Sequence, residues 1–404
     1  MVEDMRRIIY IIGIVTALSS CGLSETGGSQ RPDGEDIWKN PAYNADSAST
    51  ARKRCYITAL DYPDDYDWRA DAENGTVKCS LVVFADGRPV MKVPVGHEYC
   101  ISPDPDMHRV IKGHLYTDYS TEEETVIKKD GQELFRYNGR EMIVGMAVKD
   151  EDIYTLGQAR QGDGFSYRKN GDIIMERQKG RVFPRLQDID DSLYFAFSET
   201  IESVSGEIER YYHAKNGTAT QTAVREDVKK VWDIILHEGR SCYLATMTGI
   251  SSPVAVNGDK MKALEFSTGI NMLTSHLLSA GKTLGVEAIC SSGNSYSSCL
   301  WKDAVKHKQF SNGMTTAGIC SSGDGICCVL NSGTSGKAGQ IFRCGESFDI
   351  PAGYAAMGNN PIAMVEGILY VGLSSLQGGK PLVWKDGKME EIDINGCICT
   401  LSVN

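Results

Sequence analysis

The sequence has no excess of positive charge, little proline and no apolar run long enough to cross a membrane as a helix. Its 404 residues include 42 lysines and arginines against 53 acids, a formal charge of −11. A net-acidic chain is a poor match for a phosphate backbone, which excludes nucleic-acid binding from the expected functions. Only 12 prolines but 42 glycines occur, and this composition favours tight turns and short strands. Hydrophobic residues make up 41%, enough for a substantial core.

Motifs that mark common catalytic sites are also missing. The sequence has no nucleophile elbow, no phosphate-binding loop and no paired histidines at helical spacing. The one local group of histidines and cysteines is His97, Cys100, His108 and His114, whose spacing does not match a zinc site. We therefore expect no resident metal or cofactor, and binding rather than catalysis.

Residues 1–20 have the order of a secretory signal. Arg6 and Arg7 precede an apolar run from Ile8 to Leu18, and small residues follow. The run has 11 residues, whereas a helix needs roughly 20 to span a bilayer. The segment is therefore interpreted as an export signal and not as a membrane span.

The end of this segment, residues 18–21, resembles the lipobox of bacterial lipoproteins. In that family the cysteine is acylated and becomes the first residue of the mature chain, so the resemblance implies that Cys21 carries the lipid, palmitate among its acyl chains. An ordinary secretory signal that happens to contain a cysteine is the alternative. Gly22 stands where an Asp would retain such a lipoprotein in the inner membrane, which implies the outer membrane, on either face. Residues 21–54 are polar and are expected to form a flexible tether.

A turn dipeptide recurs through the rest of the chain at intervals of 40 to 46 residues. Asn-Gly and Asp-Gly favour two-residue hairpin turns because they tolerate positive φ. The eight dipeptides, two of them imperfect, are Asp86-Gly87, Asp130-Gly131, Asn170-Gly171, Asn216-Gly217, Asn257-Gly258, Asp303-Ala304, Cys344-Gly345 and Asp386-Gly387.

A second marker keeps step with the first. An apolar residue followed by tyrosine precedes six of the turns and indicates an inner strand, with the tyrosines expected in the core. The six pairs are Cys55-Tyr56, Leu115-Tyr116, Ile153-Tyr154, Leu193-Tyr194, Cys242-Tyr243 and Leu369-Tyr370, with Leu284-Gly285 and Cys327-Cys328 in the other two registers.

Four strands in about 42 residues is the period of a β-propeller blade, and the sequence resembles propellers as a class. Residues 55–404 are expected to form an all-β propeller of eight four-stranded blades, with seven blades as the alternative. The first unit begins at its Tyr strand and a spare strand, residues 397–403, ends the chain. We expect this C-terminal strand to complete the first blade and close the ring. Residues 223–236 also show helical spacing, which allows a short helix between units.

The 13 cysteines, apart from Cys21, have two expected roles. An exported chain permits disulfides; Cys290 and Cys299 flank a predicted hairpin, and Cys55 and Cys79 could lie on adjacent strands. The others stand at apolar positions and are expected to be small buried hydrophobes.

The candidate ligand-binding residues lie in the longest polar segment, residues 61–75. They combine aromatic rings, which stack on sugars, with carboxylates, which accept hydroxyl hydrogen bonds or bind calcium. An exposed loop that is merely polar is the alternative. The five residues are Tyr62, Asp64, Tyr66, Asp67 and Trp68. Asp188, Asp190 and Asp191 form a lesser acidic loop.

These patterns predict a lipid-anchored binding or scaffold module of the cell envelope, with a glycan or an envelope protein as its partner. The alternative is a carbohydrate-active hydrolase or lyase, which needs two carboxyl groups facing one pocket at the propeller channel. A structural subunit of an envelope complex is a third hypothesis and predicts a large exposed apolar patch.

Overall fold

The computed structural model describes residues 53–63, 79–94, 108–120, 123–160, 163–203, 206–266, 271–292, 295–323, 325–334, 337–358 and 360–403. Within these ranges the chain forms 34 β-strands. The described residues include no helix that is long and apolar enough to cross a bilayer.

The strands form eight antiparallel sheets, which we number as blades 1 to 8 in chain order. Blade 1 consists of β34 (Gly396–Val403), β1 (Cys55–Asp61), β2 (Ser80–Ala85) and β3 (Arg88–Pro94). Blade 2 consists of β4 (His108–Ile111), β5 (His114–Ser120), β6 (Glu124–Lys129) and β7 (Gln132–Asn138). Blade 3 consists of β8 (Glu141–Lys149), β9 (Asp152–Ala159), β10 (Phe165–Lys169) and β11 (Asp172–Arg177). Blade 4 consists of β12 (Gly180–Val182), β13 (Gln187–Ile189), β14 (Ser192–Ser203), β15 (Gly206–Lys215) and β16 (Thr218–Gln221).

The second half of the chain repeats this arrangement. Blade 5 consists of β17 (Val228–His237), β18 (Arg240–Met247), β19 (Val254–Asn257) and β20 (Lys260–Ala263). Blade 6 consists of β21 (Asn271–Ala280), β22 (Thr283–Ser292), β23 (Ser295–Lys302) and β24 (Val305–Gln309). Blade 7 consists of β25 (Met314–Ser322), β26 (Gly325–Ser332), β27 (Gln340–Arg343) and β28 (Glu346–Asp349). Blade 8 consists of β29 (Tyr354–Ala355), β30 (Ile362–Val365), β31 (Ile368–Ser375), β32 (Leu382–Lys385) and β33 (Lys388–Glu391).

Blades 4 and 8 keep the four-stranded plan although each has five strands. In both, the innermost position is filled by two short strands that pair with the same neighbour: β12 and β13 with β14, and β29 and β30 with β31. The expectation of eight four-stranded blades is therefore confirmed, and the seven-bladed alternative is wrong.

The C-terminal strand closes the ring in the expected way. It runs antiparallel to β1, with Cys55 opposite Val403 and Asp61 opposite Gly396. Eight clusters of buried hydrophobic side chains occur among the described residues, one at each interface between consecutive blades. The interface between blades 8 and 1 has the same character as the others, because Val365 and Tyr370 pack with Ile57 and Val82. Closure thus pairs the inner edge of β1, which would otherwise be exposed.

The turn dipeptides form two-residue hairpins whose first residue binds the neighbouring strand. Both central residues have positive φ at seven of the eight sites; in blade 5 the turn is shifted by one residue, to Gly258-Asp259. In five blades a side-chain oxygen of the first turn residue, Asp or Asn, accepts the N–H of the apolar residue at the second position of the second strand. Five such bonds run from Leu115 to Asp130, Ile153 to Asn170, Leu193 to Asn216, Leu284 to Asp303 and Leu369 to Asp386, at 2.8–3.0 Å.

In the six blades that have it, the tyrosine of the second marker lies directly across from the residue that precedes the turn dipeptide. In four blades that residue is a lysine, whose ammonium lies 5.4–5.9 Å from the tyrosine ring centre, which is a cation–π distance. The four pairs are Tyr116 with Lys129, Tyr154 with Lys169, Tyr194 with Lys215 and Tyr370 with Lys385. The two sequence markers therefore keep step because the strands that carry them pair in a fixed register.

The helix allowed for residues 223–236 is wrong. Residues 228–237 form β17, the innermost strand of blade 5, and its pairing with β18 shifts between Val228 and Lys230 and again between Val231 and Asp233. Each bulge adds one residue to the strand. The added residues place the side chains that pack against blade 4, Val228, Val231 and Ile234, three positions apart, which imitates a helical period.

Candidate functional site

The two faces of the ring differ sharply. One face, the turn face, carries the links between the first and second strands and between the third and fourth strands of the blades, and every one is a two-residue turn. The opposite face, the wide-loop face, carries the links between second and third strands and between blades. Its two longest connections, residues 62–79 and 95–107, leave the same blade, whereas every other connection there between described strands has seven residues or fewer.

The predicted ligand-binding segment begins and ends at strands that reach the wide-loop face. It joins the ends of β1 and β2 at Asp61 and Ser80, which are directly opposite each other. Asp64, Tyr66, Asp67 and Trp68 lie outside the described residues.

Tyr62 is described, and it lies at the base of this segment. Its N–H donates to the carbonyl of Asn395 at 2.7 Å, and its hydroxyl lies 3.7 Å from the Cys397 sulfur. The neighbouring Asp61 is buried, accepts the N–H of Asn395 at 3.2 Å and pairs with the Lys92 ammonium at 3.1 Å. These contacts fix the start of the long loop to the strand that closes the ring.

The lesser acidic loop lies on the other side of the molecule. Asp190 and Asp191 are the two residues of the β13–β14 turn, and Asp188 lies just before them in β13. The Lys149 ammonium of blade 3 is 3.7 Å from Asp188 and 3.9 Å from Asp191. This loop contacts the neighbouring blade on the turn face and is not part of the wide-loop face.

The two described members of the local group of histidines and cysteines, His108 and His114, do not lie together. His108 is buried at the start of β4, whereas His114 begins β5 beyond the turn and hydrogen-bonds Asp130 at 2.7 Å. His97 and Cys100 lie outside the described residues. Within the described ranges, no three histidine, cysteine or acidic side chains are placed to hold a metal ion.

The proposed cysteine pairs remain free thiols in the structure. Cys55 lies at one end of β1 and Cys79 beyond the other end, next to Ser80, so a seven-residue strand separates them and they cannot be bridged. Cys290 lies opposite Ser297 and Cys299 opposite Ala288, which makes these two cysteines diagonal neighbours on paired strands. Most of the remaining described cysteines are buried, as expected of small hydrophobes.

A buried polar network that the sequence patterns did not reveal links blades 2 and 3. The Glu141 carboxylate accepts hydrogen bonds from the Ser166 hydroxyl at 2.8 Å, the Arg168 guanidinium at 3.1 Å and the Tyr137 hydroxyl at 3.1 Å. Arg168 also lies 4.0 Å from the centre of the Tyr137 ring. Burial and the nearby Glu141 charge raise the pKa of the Tyr137 hydroxyl, which therefore stays protonated. A Cβ at Gly157 would overlap the Glu141 carboxylate, so glycine is required there.

A shallow cleft lies beside this network on the wide-loop face. Its volume is about 260 Å³, and its lining includes Glu141, Asp163, Phe165, Glu176 and Arg177. Pockets that enclose a small-molecule ligand usually measure roughly 300–1,000 Å³. The cleft is thus small, and one of its carboxylates is already neutralised by Arg168.

A second buried acid, Asp233, connects three blades. It accepts the N–H of Ile234 in its own strand and the N–H of Leu277 in blade 6, at 2.9 and 2.6 Å. Arg185, in the connection between β12 and β13 of blade 4, pairs with it at 3.0 Å. These three contacts join blades 4, 5 and 6 through one buried carboxylate.

No family model matches the sequence, and no curated protein is significantly similar to it. Among solved structures, the chain is similar to the dihydro-heme d1 dehydrogenase NirN in complex with DHE, with a TM-score of 0.51, 9% identity and coverage of 85% of this chain and 74% of that one. It is also similar to the β-propeller domain of the Trilobed protease from Pyrococcus furiosus (TM-score 0.45, 9% identity, 74% and 92% covered). An acylaminoacyl peptidase from Pyrococcus horikoshii gives a TM-score of 0.45 at 10% identity, with 81% and 56% covered. Identities this low carry no activity across. The strand order, with the likeness to NirN, establishes the fold alone: an eight-bladed β-propeller.

Proposed function

We propose that this chain is an exported, lipid-anchored envelope protein whose propeller is a binding or scaffold module that recognises its partner through the wide-loop face. The lipid on Cys21 tethers the protein to the outer membrane, and residues 22–54 form a linker that separates the propeller from the membrane surface. Several acyl chains, at about 0.8 kcal/mol per buried CH₂, hold a protein at a membrane essentially permanently.

The observation that supports binding through this face is the asymmetry of the ring. The turn face is built only of two-residue turns between described strands, while two long connections leave blade 1 at the wide-loop face. Long loops on a rigid scaffold are the usual place for recognition residues. The first of these loops contains Asp64, Tyr66, Asp67 and Trp68, a mixture that suits a glycan or a polar protein surface.

The contacts at the base of the loop favour this role. Asp61 and Tyr62 are held by Lys92 of β3, by Asn395 just before the closing strand and by Cys397 within it. The loop therefore leaves a fixed base. The carbohydrate-active alternative finds less support, because Glu141 in the cleft of blade 3 is paired with Arg168 and the cleft is small. A structural subunit would need a contiguous apolar patch, whereas exposed hydrophobics such as Ile173, Val305 and Met389 are spread over the outer strands of different blades.

The membrane anchor is tested by cell fractionation. We expect Cys21→Ala to move the protein from the membrane fraction to the soluble periplasmic fraction, and Cys344→Ala, the matched control on the exposed turn, to stay in the membrane. Membrane association of the Cys21→Ala protein would contradict the lipoprotein assignment. Labelling of intact cells with an impermeant reagent then identifies the membrane face.

The binding face is tested with a glycan array and a parallel hydrolysis screen on the mature protein. We expect binding without turnover. The change Trp68→Ala should reduce binding about 5- to 150-fold, since stacking of one ring is worth about 1–3 kcal/mol by analogy with bases on aromatic side chains. The change Val305→Ala on the outer rim should leave binding unchanged. Turnover abolished by Asp163→Asn or Glu176→Gln would favour the hydrolase instead. Glycan binding that Trp68→Ala leaves unchanged would contradict the assigned face.

A further inference from the structure

Three cysteines of blade 7 converge at the turn face. Cys320 in β25 lies directly opposite Cys327 in β26. The sulfur of Cys327 is 3.5 Å from the sulfur of Cys344, the first residue of the β27–β28 turn. Cys327 is fully buried, Cys320 is half-buried and Cys344 is exposed. The three thiols therefore form one group that extends from the solvent-exposed turn to the interior of the blade.

Cys344 occupies the position that is Asp or Asn in most blades. There the side-chain oxygen accepts the N–H of the second strand, as Asp386 does for Leu369 at 2.9 Å. At Cys344 the backbone contact with Ile326 is kept at 3.3 Å, but the side chain turns to Cys327 instead. Gly325 makes room for it, because a Cβ at that position would overlap the Cys344 sulfur. Blade 7 thus replaces the turn acceptor of the other blades by a thiol contact.

We propose that Cys327 and Cys344 form a thiol–disulfide exchange site that reacts with small-molecule or protein disulfides. Cys344 meets the incoming disulfide because it is the exposed member of the group, and Cys327 resolves the intermediate because its sulfur is already in reach. This assignment goes beyond the proposed binding function and does not depend on it.

The exchange needs two steps. The Cys344 thiolate attacks one sulfur of a disulfide RS–SR, the S–S bond breaks, and one RS⁻ leaves and takes up a proton. The Cys327 thiolate then attacks the Cys344 sulfur of the mixed disulfide and displaces the second RS⁻, which is protonated in turn. Two cysteine thiols are oxidised to a disulfide, and one external disulfide is reduced to two thiols.

The electrostatics suit the second step. The pKa of the Cys327 thiol is lowered to about 6, chiefly by a hydrogen bond from Cys320 and further by Cys344 and the Arg343 charge, although burial opposes the shift. The hydrogen bond to Cys327 raises the pKa of Cys320, which keeps its proton. Burial raises the pKa of Cys344, so the first step speeds up with pH. Because Cys320 keeps its proton, the nucleophile for the mixed disulfide is Cys327.

Peptide mapping tests the proposal. The reduced full chain is incubated with oxidised glutathione at pH 8, free thiols are alkylated, and the protein is digested with trypsin. Cys327 and Cys344 fall in different tryptic peptides, 309–337 and the peptide that begins at Cys344. We expect these two peptides to be joined by one disulfide in most molecules. A disulfide confined to peptide 309–337, or glutathione that stays on Cys344, would overturn the proposal.

Matched variants identify the sulfur involved. Cys327→Ala should abolish the linked peptides and trap the mixed disulfide at Cys344, whereas Cys328→Ala, equally buried and adjacent in sequence, should leave the link in place. Cys344→Asn restores the residue type of the other turns and should fold but form neither product. A link that persists in Cys327→Ala would contradict the assignment even if a buried variant were less stable.

Discussion

At the scale of single residues, the least expected features are charged side chains that lie inside the blades. Glu141, Asp233 and Glu287 all stand on strands that otherwise bury apolar residues. The hydrophobic pattern of a strand predicts which face of the sheet a residue occupies. It does not predict whether a side chain of another blade lies there to form a hydrogen bond or an ion pair. The partners of Glu141 come from residues 25 or more positions away or from the preceding blade, so the sequence alone did not reveal them.

Arg168→Met should destabilise the propeller strongly, because it leaves the Glu141 carboxylate buried without its cation. Breaking a buried pair by removing one partner costs about 3–5 kcal/mol. Urea denaturation measures the free energy of unfolding, and the double variant with Glu141→Gln should recover part of the loss. Lys179→Met, which breaks the exposed pair with Glu202, is the control and should have a much smaller effect. Equal losses of unfolding free energy for Arg168→Met and Lys179→Met would show that the buried network does not stabilise the propeller more than an exposed ion pair does.

Glu287 should make stability fall as pH rises. Burial raises the pKa of its carboxyl from 4.5 to about 7, and the neighbouring Thr316 and Ser298 side chains lower it only in part. The folded state therefore binds the proton more tightly than the unfolded state. Its stabilising contribution is complete below pH 4.5 and is lost between pH 4.5 and 7, by about 3 kcal/mol.

Glu287→Gln checks this sign, because an amide has no charge to lose. From pH 4.5 to pH 8 the unfolding free energy of the parent should fall by about 3 kcal/mol relative to that of the variant. The exposed Glu346→Gln should show a far smaller change. A difference for Glu287→Gln that is constant with pH would contradict the account.

At the scale of the element, the hairpin turn and its tyrosine partner carried most of the sequence information. Positive φ selects Asp, Asn and Gly locally, and the same side chain reaches a strand 15 to 23 residues earlier, so one local rule also reports a tertiary contact. Where a strand is bulged, as in β17, the local pattern points to the wrong element. A two-residue hydrophobic period therefore identifies regular strands more reliably than it identifies bulged innermost strands such as β17.

Asn216→Ala should destabilise blade 4. The change removes the acceptor of the Leu193 N–H, at 2.8 Å, and leaves the strained φ of 48° at this position without the side-chain hydrogen bond that offsets it. We expect a loss of about 1–3 kcal/mol in unfolding free energy. Asn216→Asp keeps the acceptor and should stay close to the parent. If the Ala and Asp variants unfolded alike, the side-chain acceptor would have no part in the turn.

At the scale of the whole molecule, the count of eight blades and the closure were both predictable, because the repeat period divides the chain and leaves one strand over. The functional face was only partly predictable. The sequence located a polar aromatic loop, but the contrast between a turn face and a wide-loop face needed the strand order. Neither the sequence nor the strand order identifies the ligand, because the same propeller scaffold carries many unrelated binding sites and activities.

The closing strand also makes the stability of the ring cooperative. β34 buries Ile398, Cys399 and Leu401 and pairs along the length of β1. Burial of each large aliphatic side chain contributes about 1.5–3 kcal/mol, and total domain stabilities are about 5–15 kcal/mol. Loss of this one strand therefore removes a large part of the stability and exposes the edge of β1.

The most direct measurement of the closed ring is the denaturant unfolding of two truncated chains. A chain that begins at residue 53 keeps all eight blades and should unfold in a single transition with the free energy of the full protein. A chain that ends at Asn395 lacks β34 and should show no cooperative transition or aggregate. A soluble chain ending at Asn395 that unfolds with the parent's cooperativity and free energy would contradict the account.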